Sequence, residues 1–193
     1  MWRTVLIVAG ILILIIGSVF LYLLIDGADE SRRREKRTKN NEHNRKPRLC
    51  LVSSSGGHWE QLQKLQPLID KYDGFLVTEK TQFPEKAKYF MIQTDLKDKL
   101  MPLKMFVNGL HSLGIWIKER PDFVITTGTM VAYPFYLMAV LFHKKIVYVE
   151  TFGRANMATK AGKKMEKHAD LFIVQWETQV KHYKKAVYGG CLY

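Results

Sequence analysis

Short apolar runs alternate with helical patterns along most of this chain. From Arg48 onward, runs rich in Val, Ile and Phe are separated by stretches in which apolar residues recur every three or four positions. Runs of the first kind predict strands, and stretches of the second kind predict helices. The predicted strands lie in RLCLVSS, GFLVTEK, YFMIQ, DFVITTG, KIVYVE, LFIVQW and AVYGG. This alternation predicts an α/β fold with a parallel sheet that is covered by helices on both faces.

The predicted helices connect these strands. They run from His58 to about Ile69, through a long segment around Leu103 to Ile117, from Met130 to Phe142 and near Lys160 to Lys167, with a short one before the last strand. The segment MVAYPFYLMAVLF is apolar all round. At about 13 residues it is too short to cross a bilayer, so we predict a buried helix that packs on the sheet.

The long helix has a marked apolar stripe. Its apolar residues follow the three-and-four spacing of a single helix face, which we predict is buried against the sheet. Met105 and Trp116 fall off this stripe and are predicted at the surface, where partial burial under a loop is favoured over contact with a membrane or a partner. The members of the stripe are Leu103, Phe106, Val107, Leu110, Leu113, Gly114 and Ile117.

The first part of the chain has a different pattern. Residues 4–25 carry no charge, and as a helix they would extend about 33 Å, enough to cross a hydrocarbon core of about 30 Å. We therefore predict a single transmembrane helix at 4–25, a basic linker at 26–47 and a domain at 48–193. Arg3 precedes the apolar segment, whereas lysines and arginines crowd the residues behind it. This asymmetry predicts that the N-terminus lies outside and the domain in the cytoplasm.

The charge of the chain narrows the classes of partner. Lys and Arg number 30 against 18 Asp and Glu, a formal charge of +12. An acidic disordered tail, a collagen and a polytopic transporter are excluded by this composition. Because aromatic residues do not interleave the basic linker, contact with anionic lipids, or simple orientation of the chain, is favoured over nucleic acid.

The two cysteines predict no metal centre. Cys50 and Cys191 lack the spacing of metal ligands, and a reducing cytoplasm would keep both as thiols. We interpret them as small packing residues.

Candidate chemistry follows the predicted strands. In an open parallel sheet, ligands bind at the carboxyl ends of the strands. The loop after RLCLV is small and polar, so its backbone N–H groups could approach an anion. It lacks the GxGxxG order and a Walker lysine, so neither an NAD site nor a P-loop is supported. A Gly-Gly turn can also serve only to begin a helix. The loop consists of Ser53, Ser54, Ser55, Gly56 and Gly57, followed by His58.

His58 is the candidate catalytic residue. It stands where an imidazole could take a proton from a hydroxyl held above the sheet edge. The alternative is a histidine that caps the helix or is hydrogen-bonded within the core.

The remaining loops offer oxygen atoms, N–H groups and a cation. After KIVYV, Glu150 could bond a hydroxyl and Arg154 could clamp a phosphate, or the two could form an internal ion pair. Gln175, Trp176 and Glu177 follow LFIV, and Trp176 either stacks on a partner or closes the core. The loop after DFVIT could hold sugar or phosphate oxygens through Thr127, Gly128 and Thr129.

Several of these segments together resemble one family. SSSGGHWEQL, PDFVITTGTMVAYP, KIVYVETFGRA and ADLFIVQWE, followed by YKKAVYGG, are similar to the Alg-fourteen/PssD family, membrane-bound subunits of two-chain glycosyltransferases. The resemblance covers nearly all of residues 48–193. The Thr-Gly-Thr sequence at 127–129 is closer to the bacterial capsule or exopolysaccharide branch than to the eukaryotic one. The resemblance implies a Rossmann-like domain equivalent to the N-terminal half of a MurG-type GT-B glycosyltransferase.

The resemblance also implies a function and a partner. The chain would anchor to the membrane and present a polyprenyl-pyrophosphate-linked acceptor, while a donor-binding Alg-thirteen/PssE-like subunit holds the UDP-sugar, so no cofactor is expected in this chain. The Gly-rich loop before His58 would face the acceptor, and Glu150 and Arg154 match family positions. The partner contact is expected at or near Tyr188, Gly189 and Gly190, with Trp176 as a further candidate.

The length of the predicted domain is compatible with one half of a GT-B glycosyltransferase. A domain of about 145 residues can form one half of a two-domain cleft, and the chain ends soon after AVYGG, so we expect the donor half in another polypeptide. Two alternatives stay open. A self-sufficient transferase or epimerase would need an acidic ribose-binding residue, for which Glu79 is the nearest candidate. A membrane-tethered scaffold or sugar-nucleotide-binding protein would need no catalytic group.

Overall fold

Seven parallel strands form a single sheet. The computed structural model describes residues 46–81, 86–95 and 97–193, together with Ser18. The strand order is β3-β2-β1-β4-β5-β6-β7, and every neighbouring pair is parallel. The predicted parallel α/β fold is therefore confirmed. The strands are β1 (Arg48–Val52), β2 (Asp73–Glu79), β3 (Tyr89–Met91), β4 (Phe123–Thr126), β5 (Lys145–Val149), β6 (Leu171–Val174) and β7 (Ala186–Tyr188).

The helices lie close to their predicted positions, with two differences. The predicted helix from His58 to Ile69 is two helices, because the Pro67 ring cannot continue the hydrogen bonds of the preceding turn. The predicted helix from Met130 begins as a 3-10 turn, Met130–Ala132, before it becomes α-helical. The helices are α1 (Gly57–Gln63), α2 (Pro67–Lys71), α3 (Met101–Glu119), α4 (Tyr133–Leu141), α5 (Lys160–Met165) and α6 (Glu177–Val180).

The sheet separates two hydrophobic layers. Alternate residues of β1 point to opposite faces, so that Cys50 and Val52 join one cluster and Leu49 and Leu51 join the other. The first cluster also receives side chains from α3, α4 and α5, and the second from α1 and α2. This double cover explains why the strands are apolar on both faces.

The predicted orientation of α3 is wrong. Leu103, Phe106 and Leu110 are 59%, 54% and 51% exposed, and Val107 and Ile117 are exposed as well. Of the predicted stripe, Leu113 packs against the core. The residues that α3 buries are Asn108, Ser112, Ile115, Trp116 and Glu119.

Specific partners explain why polar residues of α3 face inward. The Asn108 amide both accepts from the Ile92 N–H at 2.9 Å and donates to the Ile92 carbonyl at 2.8 Å, which fixes α3 beside the end of β3. Glu119 is buried in an ion network with Arg48 and Lys88. Because Asn108 and Glu119 have hydrogen-bond or ion-pair partners, the burial of these two side chains does not leave them unsatisfied. Trp116, predicted at the surface, is buried and stacks on the Phe142 ring.

The predicted membrane anchor lies outside the described residues. The segment 4–25, apart from Ser18, and the linker up to residue 45 belong to the part of the chain that the structure does not describe. Among the described residues, no helix is both long and apolar enough to cross a bilayer. Lys46–Tyr193 form one compact unit.

Candidate functional site

Two loops at the carboxyl edge of the sheet are joined by a hydrogen bond. The loop after β1 passes through Gly56 at φ 73°, a left-handed conformation that favours glycine. Earlier in the same loop, the Ser54 N–H donates to Thr129 Oγ1 at 3.0 Å. Thr129 itself has φ 88°, which a β-branched residue rarely adopts. The strained threonine therefore links the loops that follow β1 and β4.

The loop after β4 also holds the start of α1. The Thr127 hydroxyl donates to the His58 carbonyl at 3.1 Å, and the Gly128 N–H donates to Thr126 Oγ1 at 2.9 Å. Gly128 has φ 98°, and a Cβ there would lie 2.8 Å from the Tyr148 hydroxyl. Only glycine fits at this position without a shift of its neighbour.

His58 lies between two cavities at this edge. One has a volume of about 290 Å³ and the other about 330 Å³, and His58 lines both. Its Nδ1 atom is buried and makes no hydrogen bond. Burial lowers the pKa of the imidazole, and this outweighs opposing effects of the Thr127 backbone and the Glu150 charge. A neutral imidazole with an unused nitrogen can accept a proton.

Glu150 is a buried carboxylate beside His58. It follows β5 and lines the smaller cavity, and its oxygens accept from the Thr151 N–H at 2.8 Å, from Thr159 Oγ1 at 2.9 Å and from the Tyr183 hydroxyl. Burial, the hydrogen bond to Glu150 and the Glu150 charge together raise the pKa of Tyr183. Hydrogen bonds rather than a cation therefore keep this carboxylate in the interior.

The Glu150 carboxylate occupies space that is free because Gly162 has no side chain. A Cβ on Gly162 would lie 2.1 Å from Glu150 Oε2 and 2.6 Å from the Tyr183 hydroxyl. We expect Gly162→Ala to displace the carboxylate from these hydroxyl donors and to lower the free energy of unfolding by about 1–3 kcal/mol, as overpacking does. Urea unfolding followed by circular dichroism measures the change.

Gly114 supplies the matched control for this prediction. It lies in α3, where an added Cβ meets nothing within 4 Å. Gly114→Ala should raise stability by about 0.5–1 kcal/mol, because alanine is the better helix former. Equal effects of the two substitutions would contradict the role assigned to Gly162.

Arg154 does not pair with Glu150. Its guanidinium is exposed, lies against Met157 Sδ at 3.3 Å and lines the smaller cavity. The internal ion pair considered from the sequence is therefore not formed between these two described residues. Arg154 instead presents a cation to the cavity, which suits a phosphate.

Buried glutamines hold the loop that carries Arg154. Gln175 Nε2 donates to Gln61 Oε1 at 2.5 Å and to the Glu150 carbonyl at 2.9 Å. Gln179 Nε2 donates to the Arg154 carbonyl at 2.6 Å. Side chains from α1, from the end of β6 and from α6 therefore all hold the backbone that follows β5.

Trp176 and Tyr193 form one wall beside this loop. The Trp176 indole donates to the Phe152 carbonyl at 2.8 Å, and its ring packs on Phe152 with centroids 4.6 Å apart. Tyr193 contacts Phe152 from another side and lines the larger cavity. Trp176 is half-buried, so the structure gives it a packing role and leaves its predicted partner contact as a prediction.

The other predicted partner residues lie at the open sheet edge. Tyr188 ends β7, the last strand in the sheet order, and is half exposed. Gly189 donates its N–H to the Val174 carbonyl at 3.0 Å, which continues the pairing with β6, and Gly190 follows with φ 80°. This edge is accessible to another chain.

The structure brings four of the predicted site residues to one cavity. His58, Thr129, Glu150 and Arg154 line a single cavity. Ser54 is tied to it through Thr129, whereas Ser55 faces Glu79. Other residues that hold these groups had no site role predicted from the sequence, and they are Gln61, Tyr148, Thr159, Gly162, Gln179 and Tyr183. Within the described ranges, no cluster of His, Cys, Asp or Glu has the arrangement of a metal site.

Comparison with solved structures identifies proteins that share the fold of this domain. MurG from Acinetobacter baumannii matches with a TM-score of 0.58 at 14% identity, over 74% of this chain and 45% of that one. UDP-N-acetylglucosamine 2-epimerase from Rickettsia bellii matches with a TM-score of 0.59 at 13% identity, over 76% and 45%. The domain is thus an α/β unit that resembles one half of a MurG-like GT-B enzyme.

Sequence comparison identifies the family. Residues 98–192 match the family described as "Oligosaccharide biosynthesis protein Alg14 like". The human UDP-N-acetylglucosamine transferase subunit ALG14 is 34% identical over 178 residues, which cover 74% of this chain and 81% of that protein. This chain belongs to the Alg14 family.

Other relatives match over shorter stretches. The mouse ALG14 subunit is 35% identical over 91 residues, and the Candida albicans subunit is 33% identical over 89 residues. These stretches cover 44% and 43% of this chain. The chain thus spans less than half the length of both relatives, 42% and 41%.

Proposed function

We propose that this chain is the membrane-anchored, acceptor-presenting subunit of a two-chain UDP-sugar transferase that extends a polyprenyl-pyrophosphate-linked sugar. The observation that carries the proposal is the position of His58 between two cavities, with the Arg154 cation on the wall of one of them. The names of the relatives, subunits of UDP-N-acetylglucosamine transferases, support a sugar-transfer role.

Each group at the edge has a place in this proposal. Arg154 binds a phosphate of the acceptor, while the N–H groups of Ser55 and Gly57 and the hydroxyl of Thr129 bind further oxygens. Neutral His58 takes the proton from the acceptor hydroxyl as that oxygen attacks the anomeric carbon of the donor sugar, and UDP leaves with the bonding electron pair.

The second wall of the transfer cleft comes from a donor-binding subunit. The similarity to MurG covers less than half of that enzyme, which supports a division of the cleft between two chains. In the proposal the partner, of the Alg-thirteen/PssE kind, holds the UDP-sugar and contacts the sheet edge at Tyr188, Gly189 and Gly190. Residues 4–25 hold the assembly beside its lipid-linked acceptor, which raises the effective concentration of that substrate.

Dependence on the partner tests the proposal. We expect the purified full chain to transfer no sugar from UDP-N-acetylglucosamine to a polyprenyl-pyrophosphate-linked acceptor, because in this proposal the partner subunit holds the UDP-sugar. Transfer should appear when the donor subunit is co-expressed, measured as radiolabel extracted with the lipid. Robust turnover by the chain alone would contradict the proposal, and failure of the pair with every donor would favour a tethered scaffold.

A further inference from the structure

The larger of the two cavities beside His58 has an aromatic lining. Its volume is about 330 Å³, and the rings of Phe152 and Tyr193 form part of its wall. The two rings meet edge to face, with centroids 5.1 Å apart and planes at 64°. The described residues that line this cavity include no lysine, arginine, aspartate or glutamate. A ligand that suits such a lining is neutral and has an apolar face.

Neighbouring residues hold the two rings in place. Trp176 packs on the Phe152 ring with centroids 4.6 Å apart, and its indole donates to the Phe152 carbonyl at 2.8 Å. The Leu192 N–H donates to Gln175 Oε1 at 3.0 Å, which fixes the backbone next to Tyr193. Tyr193 is nevertheless 57% exposed. A ring that is already positioned and still open to solvent can bind a ligand with little loss of conformational entropy.

Polar groups accompany these rings in the larger cavity. The Gln61 side chain is buried, and its Nε2 atom donates to the Tyr193 hydroxyl at 3.5 Å. That hydroxyl donates in turn to the Gly57 carbonyl at 3.4 Å. Both contacts are long, so the amide and the hydroxyl keep the capacity to bond hydroxyl groups of a ligand. The larger cavity therefore combines apolar ring faces with a few hydrogen-bonding groups.

This combination suits the ring of a sugar. The C–H groups of a pyranose form an apolar face that packs on aromatic rings, whereas its hydroxyl groups need hydrogen-bond partners. A phosphate would meet no cation among the described residues of this lining, while Arg154 lines the smaller cavity. The two cavities thus differ in the chemistry that they can bind.

The two cavities are also adjacent. His58, Thr151 and Gly153 line both of them. In a sugar-pyrophosphate, the anomeric carbon is bonded directly to a phosphate oxygen, so the ring and the phosphates need neighbouring sites. A ring in the larger cavity and a phosphate in the smaller one would both border His58, whose buried nitrogen makes no hydrogen bond.

We propose that the larger cavity is the subsite for the sugar ring of the acceptor, a neutral pyranose, and that Tyr193 and Phe152 bind this ring by stacking. The pyrophosphate then extends into the smaller cavity toward Arg154. The inference rests on the proposed function, because it takes the acceptor to be a lipid-linked sugar-pyrophosphate. It adds a specificity-determining residue, Tyr193, from the segment after β7 rather than from the loops after β1, β4 and β5.

Binding of two matched probes tests the inference. The first probe is N-acetylglucosamine joined through a pyrophosphate to a short prenyl chain, and the second carries a methyl group in place of the sugar. Because both have the same charge, the ratio of their Kd values reports the sugar alone. Isothermal titration calorimetry of the full chain in mild detergent measures both. We expect the sugar-bearing probe to bind at least about fivefold more tightly, as stacking and one hydrogen bond together provide.

Substitutions of Tyr193 separate the effect of its ring from that of its hydroxyl. Tyr193→Leu should weaken binding of the sugar-bearing probe by about three- to tenfold and leave the methyl-capped probe within about twofold of the native value. Tyr193→Phe keeps the ring and should bind both probes within about twofold of the native chain. The urea unfolding midpoints should match, since the side chain is exposed.

Arg154→Gln supplies the matched control. It should weaken binding of both probes by the same factor, because it acts on the phosphates that they share. A loss that is confined to the sugar-bearing probe is therefore specific to the ring of Tyr193.

The other outcomes overturn the inference in recognisable ways. Equal Kd values for the two probes, or a Tyr193→Leu variant that binds both normally, exclude a sugar subsite at these rings. Competition by UDP that depends on Tyr193 assigns the rings to a nucleobase instead. Failure of both probes to bind contradicts the subsite and the acceptor-presenting role together.

Sugar transfer by the two-subunit complex distinguishes the subsite from the proposed function. If Tyr193→Leu leaves the KM for the acceptor unchanged in an active complex, the proposed function stands and the subsite is wrong. Tyr193-dependent binding of the sugar-bearing probe by a chain whose complex transfers no sugar supports the subsite and counts against the proposed reaction alone.

Discussion

Replacing His58 by alanine should lower the turnover of the assembled transferase by at least about tenfold, since a general acid–base group typically accelerates a reaction by about 10²–10⁴-fold. The imidazole borders both cavities and has a buried nitrogen without a hydrogen-bond partner. The measurement is the initial rate of sugar transfer to the lipid-linked acceptor by the two-subunit complex.

The pH profile distinguishes a base from a structural residue. Because burial lowers the pKa of His58 below its usual 6.5, the neutral form predominates at neutral pH and is lost as the pH falls through the lowered value. We expect kcat/KM of the native complex to decline on that acidic side and the decline to be absent from His58→Ala. His168→Ala, at an exposed histidine after α5, is the control and should leave both rate and profile unchanged. Native-like turnover of His58→Ala would assign His58 a structural role.

Replacing Trp116 by alanine should reduce the free energy of unfolding by about 3–5 kcal/mol, as the removal of a buried aromatic side chain does. The indole is 5% exposed and stacks on Phe142 with ring centroids 5.7 Å apart. The measurement is urea unfolding of the full chain in mild detergent, followed by far-ultraviolet circular dichroism.

The matched control is an aromatic residue on the other side of α3. Phe106→Ala removes a side chain that is 54% exposed and should change the free energy of unfolding by less than about 1 kcal/mol. If Phe106→Ala proved the more damaging substitution, the orientation of α3 in the structure would be contradicted and that expected from the apolar stripe would be right.

This pair of residues also shows what periodicity reveals about a helix. The three-and-four spacing located α3 and its apolar side, but spacing cannot tell whether that side faces the sheet or another environment. The inward side is decided by long-range contacts, such as the two hydrogen bonds between Asn108 and Ile92 and the ion network around Glu119. The strands were predictable because burial on both faces makes each of them apolar throughout.

The candidate site also contains some residues that the sequence predicted and others that it did not. The rule that ligands collect at strand ends located Thr129, Glu150 and Arg154, since all three lie in the loops that follow β4 and β5. The residues that position them come from distant parts of the chain. Gln61 and Gln175 are 114 positions apart, and Tyr183 follows Glu150 by 33. No local pattern marks such partners, because the fold alone brings them together.

The backbone of Thr129 has a consequence for the energetics of ligand binding. A threonine at φ 88° raises the energy of the folded chain by about 1–3 kcal/mol, and the surrounding loops hold it there through the Ser54 hydrogen bond. This free energy is offset by other interactions when the chain folds, so the rim of the cavity is preorganised. Binding of a pyrophosphate then requires no further free energy to order the rim. A glycine at this position would relieve the strain, and the stability gained would come at the expense of a looser rim.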